Sequence, residues 1–568
     1  MRLLPACLVI VSLMPLHGCI DESSDSSGPS PNGFFTGVII SGLSYTTQTQ
    51  SGITDARGGF VFEDGETITF SVGATQVGET VTAKAEMTLF DLLPNAPLYT
   101  KEAQSFRLYY RPVYNPERLL HNHLRNIVIF MHSLDADRNI NNGITINADM
   151  RQLMVNVDLK ISKMKFNFGL SNKYFNVLLV KAKKAGFIEH GRVTNTGIAM
   201  EDFYRLYGID HVLTVKGTIA TDISSSGSVN SSMVHTYDEA GNRTDENSYT
   251  GTDTLIFGEK RTYDEFGQWL TEERYSSDGV VNYRATNTVD EFGNLTQATI
   301  DNDGDGTLDT RRVYVNNENG MRQSVTEYNG DTITKVTTYT YKDEYLTHTV
   351  NIDEGNNGVT DTEYSYIYNS NNHFVGFEYN KAAAGATNYV QTMTVNDDGN
   401  FLTLHYQATV DGAHTQSYTS TYDGFRNVTR KETDNDSDGV IDEVISYTYN
   451  DGFFLLSEER YAGSGGAETY SRYKEYDDND NLLRDATDSN GDGAANKLIV
   501  YTYDNNLLAT KTEESTDGGT TNRHSVYGYD ENDNLIQQLK TWFDRTDTIT
   551  YTPVAATWVT MLIARQLE

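Results

Sequence analysis

A short motif recurs through the second half of this 568-residue chain at a nearly constant spacing. The motif is a Tyr-Asp or Val-Asp/Asn step followed by a polar turn, as in YDEAGN, VDEFGN and YDENDNL. Successive copies start 26 or 27 residues apart, at Tyr237, Tyr263, Val289, Val315, Tyr341, Tyr368, Val395, Tyr422, Tyr449, Tyr476, Tyr503 and Tyr529. A period kept over this many copies predicts an array in which each unit folds alike and completes its neighbour's apolar layer.

The length of the unit predicts its fold. Each unit has room for two strands of about eight residues and two turns. Tyr (37) and Gly (46) are abundant whereas Pro (9) is scarce, a composition that suits strands joined by tight turns. The sequence therefore predicts a mainly β protein whose bulk, residues 233–551, is a continuous antiparallel meander of hairpins.

Pairs of tyrosines near the repeat starts share one face of a strand, because side chains two residues apart point the same way. These pairs are Tyr339/Tyr341, Tyr447/Tyr449, Tyr501/Tyr503 and Tyr527/Tyr529. Stacked units align the rings into a ladder, in which each cross-strand pair contributes roughly 0.2 to 1 kcal/mol. We interpret the ladder first as packing, and the alternative is an aromatic face that binds sugars.

In period and motif, residues 233–551 resemble the YD repeats of the Rhs and teneurin families. The resemblance implies a β-strip coiled into a spiral or hollow shell. Polymorphic Rhs toxins carry a Pro- and Asp-containing boundary motif and then a variable toxin domain, and both are missing from this sequence. Only the tail 552–568 follows the repeats, which is too short for a catalytic domain. A shell for a separately encoded toxin stays open as an alternative.

Acidic loops begin twelve residues after four of the repeat starts. Three of them place oxygen ligands at alternate positions and a Gly at the sharp turn, as in calcium loops. Their candidate ligands are Asp301, Asp303, Asp305 and Asp309, then Asp434, Asp436, Asp438 and Asp442, and then Asp488, Asn490, Asp492 and Asn496. The fourth loop is a degraded copy with Asp353, Asn357, Gly358 and Asp361. Their common offset predicts that all four lie along one edge of the sheet.

Calcium is the cofactor that these loops predict. The twelfth position is Arg312 in the first loop and Ile445 in the second, so the bidentate Glu of an EF-hand is absent, and the loops resemble shorter dockerin-like or thrombospondin-type ones. The alternative is that Asp, Asn and Gly simply make good turns. A net charge of −35 favours cations and disfavours nucleic acid as a partner.

The first eighteen residues read as an export signal, with one charge at Arg2, an apolar stretch and a small residue before Cys19. Residues 16–19, LHGC, resemble the lipobox of bacterial lipoproteins. The resemblance implies that Cys19 carries palmitate and diacylglycerol and binds the lipid bilayer. Ile20, rather than Asp, implies sorting to the outer membrane. The other cysteine, Cys7, lies in the segment that would be removed, so no disulfide is expected.

Composition sets the remaining boundaries. Residues 19–33 are rich in Ser, Pro, Gly and Asp and predict a flexible tether. Short alternating apolar runs predict a small β-sandwich over 34–105, and apolar residues at helical spacing predict a mixed segment with helices over 106–217. The Ser- and Gly-rich stretch 218–232 is interpreted as a linker to the array.

Part of the predicted sandwich resembles a known module. Gly52, Thr54, Asp55, Gly58 and Phe60 in SGITDARGGFVF are similar to the turn and following strand of carboxypeptidase-regulatory-like, transthyretin-type modules. The resemblance implies a spacer or docking unit.

No catalytic motif stands out in the sequence. It contains no HExxH, Gly-rich phosphate loop, nucleophile elbow or paired cysteines. We therefore expect a non-enzymatic, membrane-anchored surface interaction or scaffold protein of the adhesin kind. The alternatives are a glycan-binding or glycan-processing surface protein and the toxin shell.

Overall fold

The computed structural model describes residues 30–96, 116–159, 161, 173–194, 196–209 and, with gaps, 213–556. The gaps in the last range are 239–241, 384, 397–400, 424–426, 452–453, 479–480, 506, 516–522, 532–533 and 543–544. The export signal, Cys19 and most of the predicted tether lie outside the described residues.

An N-terminal module occupies residues 30–209. Its strands are β1 Gly33–Phe35, β2 Ile40–Ser41, β3 Ser44–Thr46, β4 Ser51–Ile53, β5 Gly59–Phe60, β6 Thr67–Val72, β7 Thr75–Thr82, β8 Glu86–Met87 and β9 Ile144–Thr145. Its helices are α1 Pro116–Leu134, α2 Ala148–Leu153, α3 Lys173–Lys184 and α4 Thr196–Leu206. The strands form a four-stranded sheet in the order β4-β3-β6-β7, a three-stranded sheet β5-β1-β8, and the pair β2-β9.

One hydrophobic core joins the sheets and the helices of this module. It runs from Phe35 in β1 to Tyr204 in α4, both almost fully buried. The strand pair β2-β9 bridges the two parts, and the Thr75 hydroxyl donates to the Val157 carbonyl at 2.6 Å. The boundary that the sequence analysis drew at 105/106 therefore does not separate two cores, because short strands bury too little apolar surface without the helices.

The rest of the chain forms 26 strands in one sheet. They are β10 Leu213–Asp222, β11 Ser231–Tyr237, β12 Arg243–Thr250, β13 Thr254–Tyr263, β14 Trp269–Ser276, β15 Val281–Val289, β16 Leu295–Asp301, β17 Thr310–Asn316, β18 Arg322–Asn329, β19 Thr332–Lys342, β20 Leu346–Glu354, β21 Thr362–Tyr368, β22 Phe374–Lys381, β23 Thr387–Val395, β24 Phe401–Val410, β25 Ala413–Tyr422, β26 Val428–Asp434, β27 Glu443–Tyr449, β28 Leu455–Ala462, β29 Glu468–Tyr476, β30 Leu482–Asp488, β31 Lys497–Asp504, β32 Leu507–Ser515, β33 Arg523–Tyr529, β34 Leu535–Trp542 and β35 Arg545–Ala556.

Each repeat start coincides with the end of a strand. Tyr263, Val289 and Tyr449 are final residues of β13, β15 and β27, and Tyr341 and Tyr503 are next to last in β19 and β31. Each strand pairs antiparallel with the next one along the chain. The prediction of a mainly β protein built as a hairpin meander is confirmed.

The sheet closes on itself. Strand β10 pairs with β11 on one side and with β35 on the other, where Ile219 lies opposite Tyr551. With strands about 4.8 Å apart, a ring of this size has a circumference of at least about 125 Å and a diameter of roughly 40 Å. The predicted strip is thus a closed barrel.

Two predicted boundaries differ from those of the structure because closure needs a first and a last strand. The predicted linker 218–232 contains the second half of β10 and the start of β11. Strand β35 likewise extends to Ala556, into the predicted tail 552–568.

The two faces of the barrel wall differ in side chains. The tyrosine face carries the repeat tyrosines, which are half-buried, as at Tyr449 and Tyr503. The opposite, threonine face carries exposed residues such as Thr502, whose hydroxyl lies 2.7 Å from that of Thr510 on the neighbouring strand. Equivalent hydroxyl pairs occur at Thr262/Thr271, Thr340/Thr349, Thr394/Thr403 and Thr448/Ser457.

Candidate functional sites on the two rims of the barrel

The barrel has two rims of different composition, because successive turns of a meander lie at opposite ends of the strands. The tyrosine rim consists of the turns that follow the repeat starts, such as residues 264–268 between β13 and β14. The acidic rim consists of the turns midway through each unit, and it includes loops 301–309, 353–361, 434–442 and 488–496. The prediction that the acidic loops share one edge is confirmed.

Side-chain capping explains the motif at the tyrosine rim. Asp264 accepts hydrogen bonds from the backbone N–H groups of Phe266 and Gln268, at 2.9 and 2.8 Å. Asp290 repeats this with Phe292 and Asn294. The Asp that follows Tyr263 or Val289 therefore holds its own turn, as Asp and Asn do in Asx-type turns. Gly267 has φ of +74°, a conformation that favours glycine.

The repeat tyrosines tie each unit to the one before it. The Tyr449 hydroxyl donates to the Val428 carbonyl at 2.8 Å, twenty-one residues earlier. The same bond joins Tyr263 to Arg243, Tyr341 to Arg322, Tyr368 to Thr347, Tyr476 to Leu455, Tyr503 to Leu482 and Tyr529 to Leu508. These rings occupy equivalent sites and pack across the neighbouring hairpin.

One sector of the tyrosine face is almost wholly aromatic. Tyr364, Tyr379, Tyr389, Tyr406 and Tyr418 follow one another across β21 to β25 with ring centroids 4.8 to 5.4 Å apart. Two of these contacts are stacked, with interplanar angles of 23° and 17°. Rings that stack on one another turn their edges rather than their faces outward. This favours the packing interpretation over a sugar platform.

The acidic loops share one hydrogen-bond pattern. The first Asp accepts from a glycine N–H five residues later, at Asp301/Gly306, Asp353/Gly358, Asp434/Gly439 and Asp488/Gly493. The side chain eight residues after the first Asp accepts the N–H of the second loop residue, at Asp309/Asn302, Asp361/Glu354, Asp442/Asn435 and Asn496/Ser489. The four loops are equivalent in conformation.

Three carboxylates converge in each of the first two predicted loops. Oxygens of Asp301, Asp303 and Asp309 lie within 4.8 Å of one another, and so do those of Asp434, Asp436 and Asp442. The fifth loop position is not in these clusters. There Asp305 accepts the Thr307 N–H at 2.6 Å, and Asp438 does the same for Val440.

The third and fourth loops are poorer cation sites. In the third, Asn490 and Asn496 replace two of the carboxylates, and the Asp492 carboxylate accepts the Ala494 N–H at 2.8 Å. In the fourth, the third loop position is Gly355. Neutral amides offer weaker ligands to a divalent cation than carboxylates do, so these two loops serve as natural controls for the first two.

The second loop fits a cation better than the first. Asp434 is 6% exposed, and its Oδ1 has no hydrogen-bond partner. In Asp301 both carboxylate oxygens are engaged, by Gly304 and Gly306, and Arg284 lies 3.6 Å away. Burial opposes the ionisation of Asp301, but these donors outweigh it and hold the pKa of its carboxyl below the usual range. An unpaired, buried carboxylate oxygen is costly unless it is bonded, and a cation removes that cost.

The tyrosine rim is occupied over four units by helix α3 and its neighbours. The turn glutamates Glu265, Glu291, Glu318 and Glu344 recur at the repeat spacing. Lys181 lies 2.7 Å from the Glu344 carboxylate and Lys183 lies 3.3 Å from that of Glu291, while Lys184 donates to the Glu318 carbonyl. The basic end of α3 thus follows the acidic turns unit by unit.

An aromatic clamp adds to this contact. Phe266 lies between two guanidinium groups, with the Cζ atoms of Arg138 and Arg192 at 3.7 and 3.9 Å from its ring centroid. Arg192 also donates to Asp264 at 2.8 Å and to Gln268 at 2.6 Å. Because Arg192 and Asp264 are mostly buried, this pair anchors the module on the barrel.

A cavity of about 510 Å³ lies between the module and the tyrosine rim. His132 Nε2 faces the Asp202 carboxylate there at 3.0 Å. Burial, assisted by Arg138, lowers the pKa of His190 to about 4. Next to this cavity, burial raises the pKa of Asp135 to about 6, although the Thr145 N–H bonds its carboxylate.

The docking of the module on the rim was not predicted from the sequence. Two signals were present: a glutamate or phenylalanine at the same place in successive turns, and three lysines at the end of α3. Neither signal identifies the other as its partner, because the contact depends on how the barrel coils.

Among the described residues, no helix is both long enough and apolar enough to cross a bilayer. No protein-family model matches the sequence, and no curated protein matches it.

Solved structures give distant matches. The complex TcdB2-TccC3-Cdc42 matches 60% of this chain at 13% identity and a TM-score of 0.19, and the Tc holotoxin pore of Photorhabdus luminescens matches 59% at 12% and 0.21. The matched part spans 25% and 26% of those chains, about a quarter of their length. A porin-like protein from Bacteroides uniformis matches 60% of this chain at 11% identity and a TM-score of 0.15, over 96% of its own length.

Proposed function

We propose that the chain is an exported, lipid-tethered scaffold of the outer membrane that acts through its surfaces rather than by catalysis. The observation that carries this proposal is the contrast between the rims. Four units of one rim are covered by the N-terminal module through matched charges, and the other rim carries a row of acidic loops. Such an arrangement suits a protein that presents one rim to a partner.

The anchor is tested at Cys19, with Cys7 as a matched control. The full chain is expressed in a Gram-negative host with radiolabelled palmitate as wild type, Cys19→Ser and Cys7→Ser. We expect label and membrane association in the wild type and in Cys7→Ser, and neither in Cys19→Ser. A Cys19→Ser protein that stays in the outer-membrane fraction would contradict the tether.

We further propose that calcium stabilises the acidic rim. The support is the convergence of three carboxylates in loops 301–309 and 434–442, with an unpaired buried oxygen at Asp434. Extracellular calcium modules typically bind at about 10⁻⁴ to 10⁻³ M. Isothermal titration at low millimolar calcium should give heat. No heat and no rise in melting temperature would remove the proposal.

A second candidate function is a shell for a separately encoded protein. It is favoured by the closed circumference, since a ring roughly 40 Å wide is too large for its own side chains to fill. Cryo-electron microscopy of protein purified from its native host tests this candidate. Continuous density inside the ring that the chain does not account for would support it, and a solvent-filled lumen would oppose it.

A further inference from the structure

A cluster of positive charge lies on the tyrosine face near the closure of the barrel. Lys511 on β32, Arg523 on β33 and Lys540 on β34 line one cavity of about 270 Å³. The chain as a whole carries a net charge of −35, with 79 acidic residues against 44 basic ones. Three cations around one small cavity are therefore unusual for this surface.

Strand register places the three cations around one hydroxyl group. Ser525 lies directly opposite Lys511 on one side and Lys540 on the other. With strands about 4.8 Å apart, the Cα atoms of the two lysines are roughly 10 Å apart, with the serine between them. Arg523 precedes Ser525 by two residues and therefore shares its face. The side chains can converge on a group bound over Ser525.

Among the described residues, no carboxylate forms a direct ion pair with these three cations, although Glu513 lies opposite Arg523 and Asp547 lies opposite Lys540 in the sheet. Lys511 lies 5.7 Å from the Tyr501 ring, and Arg523 stacks 4.1 Å over Trp542. The two acidic residues nearby have other partners. Lys497 binds Glu513 at 2.8 Å, and Arg545 binds Asp547 at 3.0 Å. Lys497, Lys511 and Arg523 together lower the pKa of the Glu513 carboxyl, so several cations share this one carboxylate and positive charge stays in excess around the cavity. Excess like charges repel one another, and a bound anion relieves that repulsion.

We propose that this cavity, the cationic pocket, binds a compact ligand through an oxyanion, which is a phosphate, sulfate or carboxylate group. Lys511, Arg523 and Lys540 supply the charge, and the Ser525 hydroxyl and Gln538 amide line the same cavity as neutral donors. The volume limits the ligand to about the size of a monosaccharide. The Glu513 carboxylate on its wall disfavours ligands with several charged groups. This site is independent of the scaffold role.

Titration of the full chain with matched probes tests the pocket. The probes are glucose 6-phosphate, glucuronate, inorganic phosphate, inorganic sulfate and glucose, each at constant low ionic strength. We expect at least one of the four anions to bind, with an affinity that falls as salt rises, and no binding of glucose. The phosphate, sulfate and carboxylate probes distinguish the oxyanions from one another. Failure of all four anions, or glucose binding as tightly as its phosphate, would overturn the proposal.

Variants separate a binding role from a structural one. Arg523→Gln and Lys540→Met should each weaken anion binding at least tenfold, whereas Arg484→Gln, at an exposed ion pair outside the cavity, should not. Without ligand, Lys540→Met should melt at the same or a higher temperature, because it relieves repulsion. Unchanged affinity in both pocket variants, or a lower melting temperature with unchanged affinity, would contradict the assignment.

Discussion

The two rims of the barrel are built from the same repeat, but their acidic side chains have different partners. At the tyrosine rim, turn carboxylates meet lysine and arginine from the N-terminal module, and a phenylalanine is held between two guanidinium groups. At the acidic rim, carboxylates meet one another and backbone N–H groups. Over four units, lysine and arginine of the protein itself neutralise the tyrosine rim, whereas the clustered carboxylates of the acidic rim lack such a partner module. Stability should therefore respond to pH and charge reversal at one rim and to calcium at the other.

Charge reversal at the clamp should give the largest effect. Arg192→Glu loses the pair with Asp264 and sets two carboxylates together in a mostly buried contact, so we expect a loss of about 3 to 5 kcal/mol. Calorimetric unfolding measures it. Arg57→Glu is the control, because the Arg57–Asp55 pair is exposed and should change stability by less than about 1 kcal/mol. Similar losses in both variants would mean that the clamp does not hold the module.

The pH response near the rim cavity comes next in size. The folded-state pKa of His190 is lowered to about 4, so its contribution to stability is lost as pH falls from about 6.5 toward 4. The pKa of Asp135 is raised to about 6, so its protonation adds stability as pH falls through that value toward 3.8. The two effects oppose each other, so the combined contribution of His190 and Asp135 to stability should change little between pH 6 and 4.

Asp135→Asn should reveal the histidine effect. Its amide oxygen keeps the acceptor for Thr145, but the compensating proton uptake is gone. We expect the variant to lose roughly 2 to 3 kcal/mol relative to its own neutral-pH stability when acidified from pH 6.5 to 4. Denaturant unfolding at each pH measures it, with exposed Asp149→Asn as the control. An unchanged profile in Asp135→Asn would contradict this account of the cavity.

Calcium binding at the acidic rim should change the free energy of unfolding less than the pH effect does. At 5 mM calcium, a site of the usual extracellular affinity stabilises the fold by about 1 to 2 kcal/mol. Asp434→Asn should remove that contribution, and Asp353→Asn, in the loop where Gly355 replaces the second ligand, should keep it. Melting temperatures with calcium and with chelator measure the difference. If calcium raised the melting temperature of the two variants equally, the second loop would be excluded as the calcium site.

Loss of one tyrosine hydroxyl should have the smallest effect. Tyr449→Phe leaves the Val428 carbonyl without its side-chain donor, and we expect a loss of about 1 kcal/mol. Tyr473→Phe is the control, because that side chain is 47% exposed and donates to an acidic side chain at the surface. Urea unfolding compares the two. An equal or larger effect in Tyr473→Phe would argue against the ladder as a link between units.

The repeat was readable from the sequence because it is local. Spacing alone located the ends of the strands, as at Tyr263 and Tyr449, and it placed the four acidic loops on one edge. Asp264 and its equivalents cap a turn within five residues of the chain, so the motif alone is enough to predict the turn.

Closure and docking were not readable, because they depend on how many strands complete one turn of the sheet. The second half of β10 was interpreted as part of a linker, because its pairing with β35 is not visible in the sequence. The partner of α3 is not visible either, because it consists of turns from four separate units. The difference between the acidic loops is not visible in the sequence either, because the unpaired oxygen of Asp434 results from its burial in the folded chain.

The closed barrel is tested most directly by a disulfide across its seam. Ala220 on β10 lies opposite Thr550 on β35, and directly opposed residues in antiparallel strands have the Cα separation that a disulfide requires. In a Cys19→Ser background, Ala220→Cys with Thr550→Cys should form an intramolecular bond on mild oxidation, as should the hairpin control Thr448→Cys with Ser457→Cys. If the hairpin control formed its disulfide but the seam cysteines stayed free or crosslinked only between molecules, the sheet would be an open strip.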